Sequence, residues 1–205
     1  MDAKLERLLS ACAGPLSDEP IGGLPAGRLG GELAELLTRT NGFIGFESAL
    51  LVRGTGDQPG RLGNWNHHTG WRMNYGPLAE GLFFFAEDIF GTQFALCDDQ
   101  VVVFDPETGG TEVVGDSLAE WAGYIVDDWK VVTGHPLAHQ WQQQHGPLRV
   151  GQRLVPIQPF VLGGEFEIAN LRVADDVQAM TGRGALAQAL HDVPDGASIE
   201  FEIQD

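Results

Sequence analysis

Residues 82–104 read LFFFAEDIFGTQFALCDDQVVVF, and residues 111–114 continue with TEVV. Runs of phenylalanine, leucine and valine alternate here with short connectors, EDIFG, DDQ and DPETGG. Aromatic and β-branched residues favour strands, and connectors this short join neighbouring strands that pair antiparallel. The stretch therefore predicts four consecutive antiparallel strands, at residues 82–86, 93–97, 101–104 and 111–114.

Helices are predicted on both sides of these strands in the sequence. Apolar residues recur at helical spacing in residues 5–12 and again in residues 31–42. Asp116 or Ser117 caps a third, amphipathic helix, and a fourth helix spans residues 135–146. The apolar residues assigned to the buried side of the third helix are Leu118, Trp121, Ala122, Ile125 and Trp129. Strands followed by helices in this way predict an α+β fold.

The last sixty or so residues have a predicted secondary structure of their own. PIQPFVLGGEFEI supplies strands, AQALHDV ends a helix, and SIEFEI closes the chain as an alternating strand. We therefore predict an appended C-terminal β-α-β segment. The whole chain, residues 1–205, is interpreted as a single domain, with a core at residues 24–146 and an extension at residues 147–205 that packs on this core.

Charge is distributed unevenly along the chain, whose formal net charge is −17. Between Met73 and Trp129 there is no lysine or arginine. Twelve acids occupy the same stretch: Glu80, Glu87, Asp88, Asp98, Asp99, Asp105, Glu107, Glu112, Asp116, Glu120, Asp127 and Asp128. Nucleic-acid binders and anionic membrane surfaces require a basic protein face, so neither is a predicted partner. A surface of this kind attracts basic proteins.

The cysteine content and the hydropathy pattern both predict a cytoplasmic location. The two cysteines, Cys12 and Cys97, have no metal or redox spacing, which suits free thiols in a reducing environment. The N-terminus lacks the basic and then apolar regions of a secretory signal, and no uncharged apolar run is long enough to span a membrane. We expect a cytoplasmic protein without a membrane partner.

Residue patterns for catalysis and metal binding are weak. His135 and His139 have the i,i+4 spacing that can hold a metal ion, but no carboxylate lies between Asp128 and His145 to complete a site. There is no GxSxG motif, no phosphate-binding glycine loop and no cysteine in a nucleophile context. Adjacent acids fall at predicted turns and helix ends, where solvated carboxylates are ordinary. We predict no catalytic residues, no cofactor and no metal site.

A family resemblance covers residues 24–128. It is carried by four segments and two tryptophans in a fixed order: LPAGRLGGELAELLTRTNGF, Trp65, Trp71, FFFAEDIFGTQFAL, VVVFDPETGG and DSLAEWAGYIVDD. In this order and spacing the chain resembles the SUKH superfamily, which includes fungal cell-wall regulators and bacterial immunity proteins. The resemblance implies a bent, mainly antiparallel sheet flanked by helices, and no catalytic residues.

The resemblance also implies a function, namely binding and inhibition of a cognate toxin delivered between competing bacteria. The acidic stretch agrees with this, because a basic toxin domain, such as a nuclease, would be drawn to it. We expect the partner to be contacted by acids displayed at turns. The candidates are Glu87, Asp88, Asp98, Asp99, Glu107 and Asp116.

Two other functions compete with the immunity hypothesis. The first is a regulatory or scaffold module that binds proteins other than toxins, as the fungal relatives suggest. The second is a metal-dependent enzyme that uses the histidine helix and nearby acids. The position of the gene beside a toxin gene would favour immunity, and bound metal that is lost on mutation of His135 and His139 would favour the enzyme. The sequence gives no indication of oligomeric state.

Overall fold

The computed structural model describes residues 2–191 and 193. Its main feature is a seven-stranded antiparallel sheet in which spatial order follows sequence order. The strands are β1 (Cys12–Ala13), β2 (Phe43–Gly45), β3 (Leu50–Val52), β4 (Leu82–Asp88), β5 (Gln93–Cys97), β6 (Gln100–Phe104) and β7 (Thr111–Gly115). The four predicted strands are thereby confirmed as β4 to β7. The sequence did not predict β1 and β2, because strands of two and three residues are too short to show alternation.

Helices cover the sheet and confirm the predicted α+β class. They are α1 (Ala3–Ser10), α2 (Arg28–Arg39), α3 (Leu62–Trp65), α4 (Leu118–Asp127), α5 (Trp129–Val132), α6 (His135–His145) and α7 (Asp176–Leu190). Leucines of α1 and α2 pack with Trp121 of α4 against Phe85 and Phe94 of the sheet, and all of these side chains are buried. Among the described residues this apolar cluster is the largest, and it explains the helical spacing of the leucines.

An aromatic cluster forms a second part of the core. Trp65 of α3 and Trp71 pack with Phe84, Phe104 and Tyr75. Most of these rings meet edge to face with centroids about 5 Å apart, the arrangement that aromatic quadrupoles favour. Two short 3-10 helices, Trp71–Asn74 and Gly76–Ala79, carry the chain through this cluster into β4.

A β-bulge interrupts the pairing of β4 with β5. Phe84 pairs with Ala95 and Ala86 pairs with Phe94, so Phe85 is the extra residue. As a result Phe85 and its neighbour Ala86 both join the helix-covered cluster instead of alternating between faces. Bulges bend and twist the strand that carries them.

The C-terminal extension forms a small second sheet followed by a helix. Strands β8 (Gln152–Pro156) and β9 (Leu171–Asp175) pair antiparallel, and α7 begins directly after β9. The prediction of strands within residues 156–168 is therefore wrong, because the strands flank this segment, whose prolines and glycines favour turns. Its regular structure consists of 3-10 turns at Phe160–Leu162 and Ile168–Asn170. The helix prediction is confirmed by α7, and SIEFEI lies outside the described residues.

The helices are short. Helix α4 ends at Asp127, so Trp129 does not lie on its buried side as predicted. Trp129 instead begins α5, and its ring stacks on Phe46 with centroids 4.9 Å apart.

Helix α7 contains 15 residues, fewer than the roughly 20 that cross a bilayer. Throughout the described part of the chain, no helix has the length and apolar character needed to span a membrane.

Candidate partner-binding surface

The six acids predicted to contact a partner fall into two groups. Asp98, Asp99 and Asp116 are exposed, in agreement with their predicted place at turns. The prediction of exposure is wrong for three others, which are buried: Glu87, Asp88 and Glu107. Strand β4 continues to Asp88, two residues beyond its predicted end, and its end is covered by the C-terminal extension.

The exposed acids meet at one end of the sheet. Asp98 and Asp99 form the β5–β6 turn, and Gln100 beside them donates a hydrogen bond from Nε2 to Oδ1 of Asp116, at 3.1 Å. Arg28 at the start of α2 donates to the backbone oxygen of Asp99 at 2.9 Å. Two more acids bind backbone N–H groups at the β7–α4 junction. We call this group the acidic corner, and its members are Glu32, Asp98, Asp99, Asp116 and Glu120.

Strand β7 leads from the acidic corner along the edge of the sheet. In the sheet that the described residues form, β7 pairs with β6 and stands last in the strand order. Its residues Thr111, Glu112 and Val113 are exposed, and Val113 leaves half of its surface in solvent. An edge strand presents backbone N–H and C=O groups that another chain can pair with. The strand therefore offers apolar, acidic and hydrogen-bonding groups together.

A cleft of about 690 Å³ opens at the other end of β7. Asp105 and Glu112 contribute carboxylates to its lining, and Phe160 and Phe166 contribute aromatic rings that stack with centroids 3.9 Å apart. Phe166 is 64% exposed. Carboxylates beside aromatic faces are the groups that bind lysine and arginine side chains, through ion pairs and cation–π contacts. Acids thus lie at both ends of the edge strand.

Glu87 is part of a buried hydrogen-bond network and is not available to a partner at the surface. Its carboxylate accepts hydrogen bonds from Arg53 at 2.7 Å, Arg153 at 2.8 Å and Gln93 at 2.7 Å. Arg53 also donates to Asp176 at 2.9 Å. Burial alone would raise the pKa of Glu87, but the guanidinium groups of Arg153 and Arg53 outweigh burial and lower it. The network joins β4 to β8 and α7.

The other two buried acids are hydrogen-bonded to backbone groups. Oδ1 of Asp88 accepts from the N–H groups of Phe90 and Thr92, both at 2.8 Å, and burial raises the pKa of Asp88 to about 7. One oxygen of Glu107 accepts from the N–H of Val161 at 2.8 Å, while the other has no hydrogen-bond partner among the described residues. Burial raises the pKa of Glu107 as well.

The histidine helix has a carboxylate that the sequence search missed. His135 and His139 lie on α6, and Glu47 reaches them from the turn between β2 and β3. His139 is 92 residues from Glu47, so no local pattern links the two. The carboxylate beside these histidines comes from the turn between β2 and β3 and not from the segment between Asp128 and His145.

Comparisons with known proteins support the fold and leave the function open. No protein-family model matches the sequence, and no curated protein is significantly similar to it. Among solved structures, the crystal structure of Atu4351 from Agrobacterium tumefaciens resembles this chain with a TM-score of 0.59 at 14% sequence identity. The match covers 88% of each chain. At this identity the likeness concerns the fold alone.

Proposed function

We propose that this protein is an immunity protein that binds a basic toxin domain through the edge of its sheet and blocks the toxin's active surface. The observation that carries the proposal is the placement of acids at both ends of β7, with the acidic corner at one end and the cleft at the other. The resemblance to SUKH proteins supplies the biological role. A cytoplasmic location belongs to the same proposal.

The electrostatics favour a partner whose own ligand is an anion. A nuclease must carry a basic face in order to hold the phosphate backbone. The acidic corner contains five carboxylates, and Arg28 is the cation placed among them. Complementary fields of this kind speed association by about 10- to 1000-fold at low salt and steer the partner towards one orientation. An acidic edge that covers the basic face of a nuclease excludes its substrate by both bulk and charge.

The edge strand adds a second source of affinity. A toxin strand that pairs with β7 gains backbone hydrogen bonds, and Val113 gives it an apolar contact. Lysine or arginine side chains of the toxin then enter the cleft between Phe160 and Glu112. Because the backbone pairing and the contact with Val113 depend little on charge, we expect binding to weaken with salt without being abolished.

The test is binding to the product of the adjacent gene, measured by surface plasmon resonance at low and high salt. The test variant is Asp99→Lys with Asp116→Lys, which changes the net charge by four units at the acidic corner. Asp98 is left unchanged because its backbone φ of 50° is unfavourable for lysine. The matched control is Asp18→Lys with Glu19→Lys, an equal charge change at exposed positions that follow β1, on the side of the sheet opposite to β7.

We expect the corner variant to associate about 10-fold more slowly at low salt, and the control to stay within about 2-fold of wild type. The difference should shrink at high salt, where charges are screened. Equal losses in both variants would show that net charge alone matters and would contradict binding at the corner. Failure to bind the adjacent product even at low salt would reject the immunity role, and a non-toxin partner captured instead would favour the scaffold function.

A further inference from the structure

Three potential metal ligands from distant parts of the chain meet beside α6. Oε2 of Glu47 lies 2.6 Å from Nδ1 of His139 and 3.4 Å from Nε2 of His135. The two imidazole rings are nearly parallel, with centroids 5.6 Å apart. The donor atoms of all three side chains lie within 4.8 Å of one another. This set of ligands belongs to neither the acidic corner nor the cleft.

The turn that carries Glu47 is held in an unfavourable backbone conformation. Phe46, Glu47 and Ser48 have φ values of 51°, 54° and 72°, a left-handed run without a glycine. Such a conformation is unfavourable for a residue with a side chain and persists where its surroundings determine it. Here Phe46 stacks on Trp129, and Gln142 of α6 donates to the backbone oxygen of Glu47 at 2.8 Å. The carboxylate is therefore presented to the histidines by a fixed turn.

The distances suit a small tetrahedral cation. Zinc binds histidine nitrogen and carboxylate oxygen at about 2.0–2.1 Å, which places neighbouring ligand atoms roughly 3.3 Å apart. The contact between His135 and Glu47 already has this length. The contact between His139 and Glu47 has the length of a hydrogen bond and must open by several tenths of an ångström. His135 is mostly buried against Trp129, whereas His139 is partly exposed, so solvent reaches the site from the side of His139.

A neighbouring amide can orient one of these ligands. Nε2 of Gln143 lies 2.9 Å from Nε2 of His139, on the side of the ring that faces away from Glu47. A histidine that binds a metal ion through Nδ1 donates from its Nε2–H group, so the amide of Gln143 must turn to offer Oε1 as the acceptor, and it then fixes the ring orientation. Lys130 is the nearby cation that opposes a metal ion, because its field acts on His135.

We propose that Glu47, His135 and His139 bind a divalent transition-metal ion of the zinc class, with a fourth position open to water. The ion replaces the hydrogen bond between Glu47 and His139 and fastens the strained turn to α6. This site is separate from the proposed partner-binding surface and assigns metal binding, not catalysis. It also replaces our sequence-based prediction that the chain has no metal site.

The proposal is tested on the untagged, chelator-treated full chain. Isothermal titration calorimetry with Zn²⁺ should show one saturable site. Titration with Co²⁺ should give the visible absorption of a four-coordinate ion with nitrogen and oxygen ligands. His139→Ala and Glu47→Gln should each weaken Zn²⁺ binding by at least about 10-fold. Circular dichroism should show that both variants are folded, because both side chains are about half exposed.

The matched control is His145→Ala, which removes an exposed histidine from the last turn of the same helix. Its Zn²⁺ affinity should stay within about 2-fold of wild type. Absence of saturable Zn²⁺ binding by the wild-type protein would overturn the proposal. Binding that survives His139→Ala, or that is lost equally in His145→Ala, would overturn it as well, because the metal would then be held elsewhere.

Discussion

Asp88 is buried, and burial favours the uncharged form of its carboxyl group. Burial raises the pKa of Asp88 to about 7, against an unfolded value of about 3.9, although the N–H groups of Thr92 and Phe90 stabilise the charged form. The folded state therefore binds more protons than the unfolded state between these two values. The contribution of Asp88 to stability is fully present below about pH 4 and is lost as pH rises through about 7.

Asp88→Asn should remove this pH dependence, since the amide oxygen can still accept from Phe90 and Thr92. Relative to the variant, the wild-type protein should lose up to about 1.4 kcal/mol of unfolding free energy per pH unit between pH 5 and 7, and no more above that range. Urea denaturation at each pH measures the difference. Parallel stability curves for the two proteins would contradict the raised pKa.

The sequence does not predict which of the individual acids are buried. Glu87 pairs with Arg53 at a separation of 34 residues and with Arg153 at a separation of 66. Within their own segment, Glu87 and Asp88 look like acids in a polar connector between two apolar runs. Asp98 and Asp99 also lie in such a connector, and they are exposed. Contacts distant in the sequence decide between the two outcomes, so the local pattern predicted the exposure of only three of the six candidate acids correctly.

Elements were more predictable than single residues, because their signals are local. The bounds of β5 follow from QFALC, which stands between two turn segments, and α4 follows from a cap and helical spacing of apolar residues. The strands of the extension were misplaced because IQPFVLGGEFEI is as apolar as a strand yet rich in turn residues. Its conformation is fixed by contacts, such as that of Phe160 with Phe90.

Helix α4 provides a test at the level of the element. Oγ of Ser117 accepts a hydrogen bond from the N–H of Glu120 at 3.1 Å, which satisfies one of the free donors at the helix N-terminus. Ser117→Ala should therefore lower the unfolding free energy by about 1 kcal/mol. Because α4 packs on α1 and β7, the whole molecule should show the loss.

The measurement for α4 is the urea midpoint, which should fall while the slope of the transition stays the same. Thr38→Ala is the control, since Thr38 is an exposed hydroxyl residue inside α2 whose loss should change the unfolding free energy by less than about 0.5 kcal/mol. An equal effect of the two substitutions would show that the hydroxyl of Ser117 does not act as a cap.

The network around Glu87 connects the main sheet to the C-terminal extension, so its loss should lower the stability of the whole molecule. Glu87→Gln keeps the volume of the side chain but removes the charge that holds Arg53 and Arg153 in the interior. Arg53 retains Asp176, whereas Arg153 loses its acidic partner and already has one nitrogen without a hydrogen-bond partner among the described residues. Breaking a buried ion pair on one side typically costs about 3–5 kcal/mol.

We therefore expect Glu87→Gln to lower the unfolding free energy by about 3–5 kcal/mol, a large share of the roughly 5–15 kcal/mol of a typical domain. Guanidinium denaturation followed by tryptophan fluorescence and by far-ultraviolet circular dichroism should give coincident transitions, because Arg153 and Asp176 couple the extension to β4. Glu80→Gln, an exposed acid of the same lysine-free stretch, should change stability by less than about 0.5 kcal/mol. A small loss in Glu87→Gln, or two separate transitions in the wild-type protein, would mean that the extension folds independently of the sheet.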